Sequence, residues 1–177
     1  MKISTKSIAY ISLLSAVCVL LNTFTFTMPG SSYAISLTYI PTFLAGFYFG
    51  PFAGILVGTV GDVLGCIIWP KGPWIPLITL ASALMGVIPG LVRYLPFHEK
   101  VLLVISFLVT FVVCSLGVNT YALWITYAAT KKTFWVYLVG RLPLQSVNML
   151  MNLVVTLVAF PFFKRLIVPR AKNATAA

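Results

Sequence analysis

Residues 39 to 65 read Tyr-Ile-Pro-Thr-Phe-Leu-Ala-Gly-Phe-Tyr-Phe-Gly-Pro-Phe-Ala-Gly-Ile-Leu-Val-Gly-Thr-Val-Gly-Asp-Val-Leu-Gly. Asp62 is the only charge in this run, and the Gly50-Pro51 step breaks it, because proline cannot continue a helix through the preceding turn. The reading predicts two short apolar helices, Ser36 to Phe49 and Pro51 to Ile68. A helix needs about 20 residues to cross a hydrocarbon core about 30 Å thick, so both are short for spanning elements.

Working outward, breaks at Pro, Gly and charge clusters predict four more apolar segments: Ser7 to Phe26, Pro76 to Tyr94, Val101 to Ala128 and Phe134 to Phe163. The last two are long enough to tilt or project. Composition agrees, with 60% of the 177 residues apolar or aromatic, 8% charged and a mean hydropathy of +1.05. Chains with a wetted surface run near 45 to 50% apolar and about 25% charged. The expected fold class is an all-α membrane protein of six transmembrane helices, with residues 1–177 forming a single multi-pass domain solvated mainly by membrane lipid.

An even number of crossings puts both termini on one side. Lys2, Lys6, Arg93, Lys100, Lys164, Arg165, Arg170 and Lys172 fall on that side, against Lys71, Lys131 and Lys132 opposite. The Lys/Arg bias therefore places both termini in the cytoplasm. Lys2 and Lys6 ahead of an apolar stretch also match the outline of a cleaved signal peptide, although a chain with five later spans does not require one.

Asp62 and Glu99 are the only carboxylates, and His98 is the only histidine. Glycosidases need two carboxylates, metal-dependent hydrolases need several oxygen ligands, and zincin-type proteases need paired His with a Glu. No catalytic residue, metal site or cofactor is expected. Cys18, Cys66 and Cys114 lie inside apolar runs, too far apart for a CxxC-type pattern. The net charge of +10 comes from cations scattered at segment ends, with no patch interleaved with exposed aromatics, so nucleic acid is not an expected partner.

Polar groups at membrane depth are costly and mark a pathway or a site. Arg141, Gln145, Asn148 and Asn152 follow i, i+4, i+7, i+11 and fall within roughly 60° of one another on the last helix. At about 1.5 Å per residue from Phe134, Arg141 lies about 10 Å deep. Asn119, with Tyr121 and Trp124 nearby, comes to a similar level, as does Asp62. Two readings stand. The amides could serve as glue between helices with Asp62 paired to Arg141, or the cation, amides and rings could form a pocket for a planar anionic heterocycle.

In the expected outer loops, Tyr33 precedes the second helix, and Trp69 and Trp74 bracket Lys71 in the stiff run Trp-Pro-Lys-Gly-Pro-Trp-Ile-Pro. The tryptophans fit an interfacial aromatic belt as well as ligand stacking. On the first helix Ala9, Ser12 and Ala16 put small residues at spacings that permit close helix approach, either within the bundle or toward a docking partner.

The run from 39 to 65, the six-helix layout and Ser12-x-x-x-Ala16 together resemble the substrate-binding S components of energy-coupling factor (ECF) vitamin transporters. Gly140-Arg141-Leu142-Pro143-Leu144-Gln145 is similar to the folate-type members. The resemblance implies a vitamin binder of the bacterial cell membrane without enzymatic activity. It would work with a transmembrane coupling subunit, contacted through the small-residue motif, and two cytoplasmic ATPase subunits. No Walker P-loop occurs in this chain, consistent with energy supplied from elsewhere. Arg141 or Lys71 suits the carboxylates of a folate-like molecule, the tryptophans its rings, and Gln145, Asn148 or Asn119 its pterin edge. Thiamine, a cation, would favour carboxylates or an aromatic cage, whereas Asp62 is the only acid at depth and Arg141 can neutralise it; riboflavin is the alternative ligand. From other classes, a membrane-embedded enzyme using Asp62 or an assembly protein without a ligand are the competing readings.

Overall fold

The computed structural model describes residues 5–27, 34–70 and 72–172. The described residues form six helices: α1 (Thr5–Thr23), α2 (Tyr39–Phe49), α3 (Pro51–Ile68), α4 (Pro76–Val92), α5 (Glu99–Tyr127) and α6 (Phe134–Lys172). Between α1 and α2 a two-residue antiparallel ladder pairs Phe26 with Ile35 and Thr27 with Ala34.

The Gly50-Pro51 break falls where the sequence predicts it. Gly50 sits at φ 102°, a left-handed conformation that favours glycine, and its N–H closes α2 on Gly46 O at 3.0 Å. Pro51, lacking an N–H, then opens α3 at the position where that lack costs nothing. The Arg93 guanidinium donates to Phe47 O and Tyr48 O at 3.3 and 3.2 Å. This places a cation on the negative end of α2, so Arg93 caps the break as well as marking topology.

Four helices, α1, α3, α5 and α6, are long and apolar enough to cross a membrane, and α2 and α4 are shorter apolar helices. The 11 residues of α2 rise only about 16 Å, so α2 alone does not reach across.

Packing of α3 against α4 is backbone on backbone. A Cβ built on Gly86 would lie 2.5 Å from Gly54 Cα, and one on Gly90 would lie 2.5 Å from Pro51 N. Small residues let membrane helices approach this closely, which maximises van der Waals contact where no hydrophobic drive separates protein from lipid. On the other side of α3, Asn22 of α1 donates to Gly61 O at 3.1 Å. The principal apolar core joins Phe43, Leu44 and Phe47 of α2 to Leu103 and Phe107 of α5 and Phe160 of α6. Within it the Phe43 and Phe107 rings lie 4.6 Å apart.

Two features depart from the expected segments. Helix α5 is π-helical over Phe111–Asn119, a wide turn in which Thr120 Oγ1 donates to Ser115 O five residues back at 2.8 Å. Such stretches are rare and gather at functional sites. Helix α6 does not stop at Phe163 but runs on to Lys172. Charge ends an apolar stretch without ending a helix, because Lys and Arg are good helix formers once outside lipid. Lys164 pairs with Glu99 at 2.5 Å, bringing the start of α5 beside this part of α6; it is the ion pair found among the described residues.

Candidate functional site

The polar stripe of α6 is the best-formed candidate. Arg141 is 1% exposed, and its guanidinium carbon stands 5.6 Å from the centre of the Tyr137 ring, one turn earlier. Gln145 and Asn152 are also buried. With Asn148, they line a narrow polar cleft closed by Tyr39 of α2, Ser115 of the π-helical stretch and Met149. Thr156, one turn beyond Asn152, continues the stripe into the bundle and is fully buried.

The two asparagines have specific tasks. Asn148 Oδ1 accepts the Ser36 N–H at 3.2 Å, and Asn152 Nδ2 donates to Ser36 O at 2.8 Å. Together they hold the segment leading into α2 against α6. Asn152 Nδ2 also donates to Asn148 O at 2.8 Å, which ties the pair within the helix. The cleft behind this clasp has a free interior of about 10 Å³, room for about one water.

Asp62 is used elsewhere. Its Oδ2 accepts the Thr79 hydroxyl at 2.6 Å, and Thr79 Oγ1 in turn accepts the Trp74 indole N–H at 2.9 Å. The structure therefore does not give Asp62 to Arg141, and the lone carboxylate at depth positions an exposed tryptophan. Trp69 is likewise exposed at the end of α3.

Tyr121 belongs to an aromatic group with Trp124 and Phe134, centroids 6.0 and 6.1 Å from it. Asn119 is half-buried at the end of the π-helical stretch and does not line the cleft. Tyr33 and Lys71 lie outside the described residues. The structure thus brings together Gln145 and Asn148, one turn from Arg141, while Trp69, Trp74 and Tyr121 sit on exposed surfaces. Sequence reasoning missed Tyr39, Ser115 and Met149, which come from other elements or from the flank of the stripe.

Ala9, Ser12 and Ala16 are all exposed on one face of α1. Ser12 and Ala16 border a groove of about 660 Å³ between α1 and the α2–α3 pair, with Phe49, Phe52 and Leu56 opposite. The small residues therefore are not spent on packing within the chain.

Comparisons with known proteins place this geometry. A family model described as the substrate-specific component of the ECF transporter matches residues 6–160. The folate transporter FolT of Clostridium novyi (strain NT) is 40% identical over 60 residues, a stretch covering 34% of this chain and 35% of that protein. A crystal structure of FolT bound with folic acid superposes with a TM-score of 0.73 at 28% identity, covering 86% of this chain and 91% of that one. The S component of a bacterial ECF transporter shares the fold, with a TM-score of 0.68 at 24% identity over 91% of this chain and 96% of that one.

Proposed function

Because the chain belongs to the substrate-specific components of ECF transporters, a family of multi-pass membrane proteins that bind substrate rather than catalyse reactions, we propose that its substrate is folate or a folate derivative. The observation that carries this reading is the buried guanidinium of Arg141, one helical turn before Gln145 of an amide-lined cleft. A guanidinium offers a planar fork of donors that matches a carboxylate, and folate brings two carboxylates on one molecule with a flat ring. The folic-acid-bound FolT structure, similar over most of both chains, supports the same ligand.

Small-molecule pockets measure about 300 Å³ or more, far above the free interior of this cleft. Loading therefore requires the segment around Ser36 to come off α6, breaking the bonds to Asn148 and Asn152. The chain crosses the bacterial plasma membrane six times with both termini in the cytoplasm. It delivers its ligand with a transmembrane coupling subunit that docks on Ala9, Ser12 and Ala16 and with two ATPase subunits.

Equilibrium binding to the purified chain tests the ligand. Folate is expected to bind, with thiamine silent and riboflavin weaker; tight thiamine binding with none of folate would sink the proposal. For the partners, Ala16→Trp would fill the α1 groove and is expected to abolish co-purification of ATPase subunits when the transporter is co-expressed. ATPase recovery equal to wild type would move the docking face elsewhere.

A further inference from the structure

We propose that the groove between α1 and α3 seats one anionic phospholipid, with an acyl chain along its apolar length and the phosphate at Arg93. This does not rest on the choice of folate. The two helices run in the same direction and touch where Gly61 faces Cys18 and Gly65 faces Asn22. Alongside that seam the groove extends from Ser7 to Val19 on α1 and from Phe52 to Leu64 on α3. Each stretch rises about 18 Å, close to half of a hydrocarbon core about 30 Å thick, so the groove is as long as one leaflet is deep. Its walls are largely hydrocarbon, and Ile8, Phe52, Leu56 and Leu64 are exposed along them. In a bilayer such a surface is covered by acyl chains, because water gains nothing beside it.

The charged end makes the seat selective. Arg93 lines the groove with Ser7 and Phe49, and the Tyr10 ring stacks on Phe49 with centroids 6.0 Å apart, holding α1 to the end of α2 there. A guanidinium carries five N–H donors. The bonds of Arg93 go to Phe47 O, Tyr48 O and the Tyr94 hydroxyl, the last at 3.1 Å, and all three acceptors are neutral. The two side-chain carboxylates of the chain are engaged elsewhere, Asp62 with Thr79 and Glu99 with Lys164. Beyond the partial negative charge at the end of α2, the countercharge of Arg93 therefore comes from outside the chain. Lys6, next to Ser7, adds a second exposed cation at the start of α1. Basic pockets between membrane helices hold anionic headgroups in this way, and the oxygens of a phosphate match the guanidinium fork.

Native mass spectrometry of the purified full chain, incubated with equimolar phosphatidylglycerol and phosphatidylcholine of the same acyl chains, tests the seat. One phosphatidylglycerol per chain is expected to be retained, favoured over phosphatidylcholine about fivefold, the attraction of one cation to an anionic headgroup. Arg93→Gln is expected to cut the preference below about twofold, whereas Lys131→Gln with Lys132→Gln, which removes two cations from the α5–α6 loop, keeps it. Ser12→Trp fills the groove and is expected to lose both lipids; it carries the test even if Arg93→Gln, without its cap on α2, fails to fold. Equal retention of the two lipids by wild type, or a wild-type preference in Arg93→Gln, would overturn the proposal. So would an equal fall in the lysine double variant, which would assign the preference to diffuse charge, or undiminished lipid on Ser12→Trp. A wild-type monomer that retains no lipid would leave the groove to a partner protein, and a lipid-free dimer would leave it to a second copy of this chain. Either result overturns the lipid seat and leaves the folate reading intact.

Discussion

Gly86→Val is expected to force α3 and α4 apart and to lower the thermal midpoint of the purified protein by roughly 6–12 °C. A Cβ at Gly86 would meet Gly54 at its C, O and Cα, all backbone atoms and the last only 2.5 Å away. Backbone cannot rotate aside as a side chain would, so the helices themselves must shift. The shift propagates, because Gly46 and Gly54 both approach the same Gly86 peptide. Overpacking of this kind costs about 3 kcal/mol, against a total stability of about 5–15 kcal/mol. For a chain of this size each kcal/mol moves the midpoint by roughly 2–4 °C. Gly117→Ala is the control, since its Cβ would meet only Val112 O at an ordinary 3.4 Å, and its midpoint should stay within a few degrees of wild type. Melting followed by tryptophan fluorescence in detergent reads both, and a Gly86→Val protein as stable as wild type would remove the close crossing as an organising contact.

Arg141→Ala should weaken folate at least tenfold, which is about 1.4 kcal/mol. The guanidinium is removed from solvent and sits one turn above Gln145 in a bundle of otherwise apolar helices. There a ligand carboxylate gains more from the charge than it would in water, and truncating one partner of a desolvated charge pair commonly costs about 2–5 kcal/mol. Arg141→Lys keeps the charge but loses the planar fork that matches a carboxylate, so it should fall between wild type and alanine. Binding is to be read by calorimetry alongside the melting curve of each variant. An unchanged affinity in folded Arg141→Ala would make this residue part of the scaffold.

Much of the fold was legible in local chemistry. The bounds of α3, Pro51–Ile68, match the expected segment at both ends, because Gly-Pro at one end and the proline-rich Trp69 loop at the other are breaks that any environment would respect. Apart from α6, the other helices shift by only a few residues at their ends, as frayed or charged ends do. The π-helical turn of α5 carried no such signal: Gly117 and the polar Ser115 and Asn119 weaken an α-helix there without specifying a wider turn, and the extra residue per turn is a response to neighbours. The overrun of α6 was hidden because hydropathy reports where lipid ends, which is not where hydrogen bonding ends.

The stripe of α6 shows the same division within the site. Its period was visible in the sequence, and the structure keeps Gln145 and Asn148 together on the cleft with Arg141 buried one turn above. Which amide does what was not visible. Asn148 and Asn152 are taken by Ser36, 112 and 116 residues away in sequence, and Tyr39 enters from another helix. Likewise Asp62 meets Thr79 rather than Arg141.

By itself the sequence determined a lipid-solvated bundle, the places where its helices break, the face of α6 that is polar, and the small-residue face of α1. These depend on composition and on spacings of a few residues. The tertiary structure alone decided which polar groups are consumed by the fold and which line the cleft, because a hydrogen-bonding atom's task is set by whatever the fold brings within about 3 Å of it.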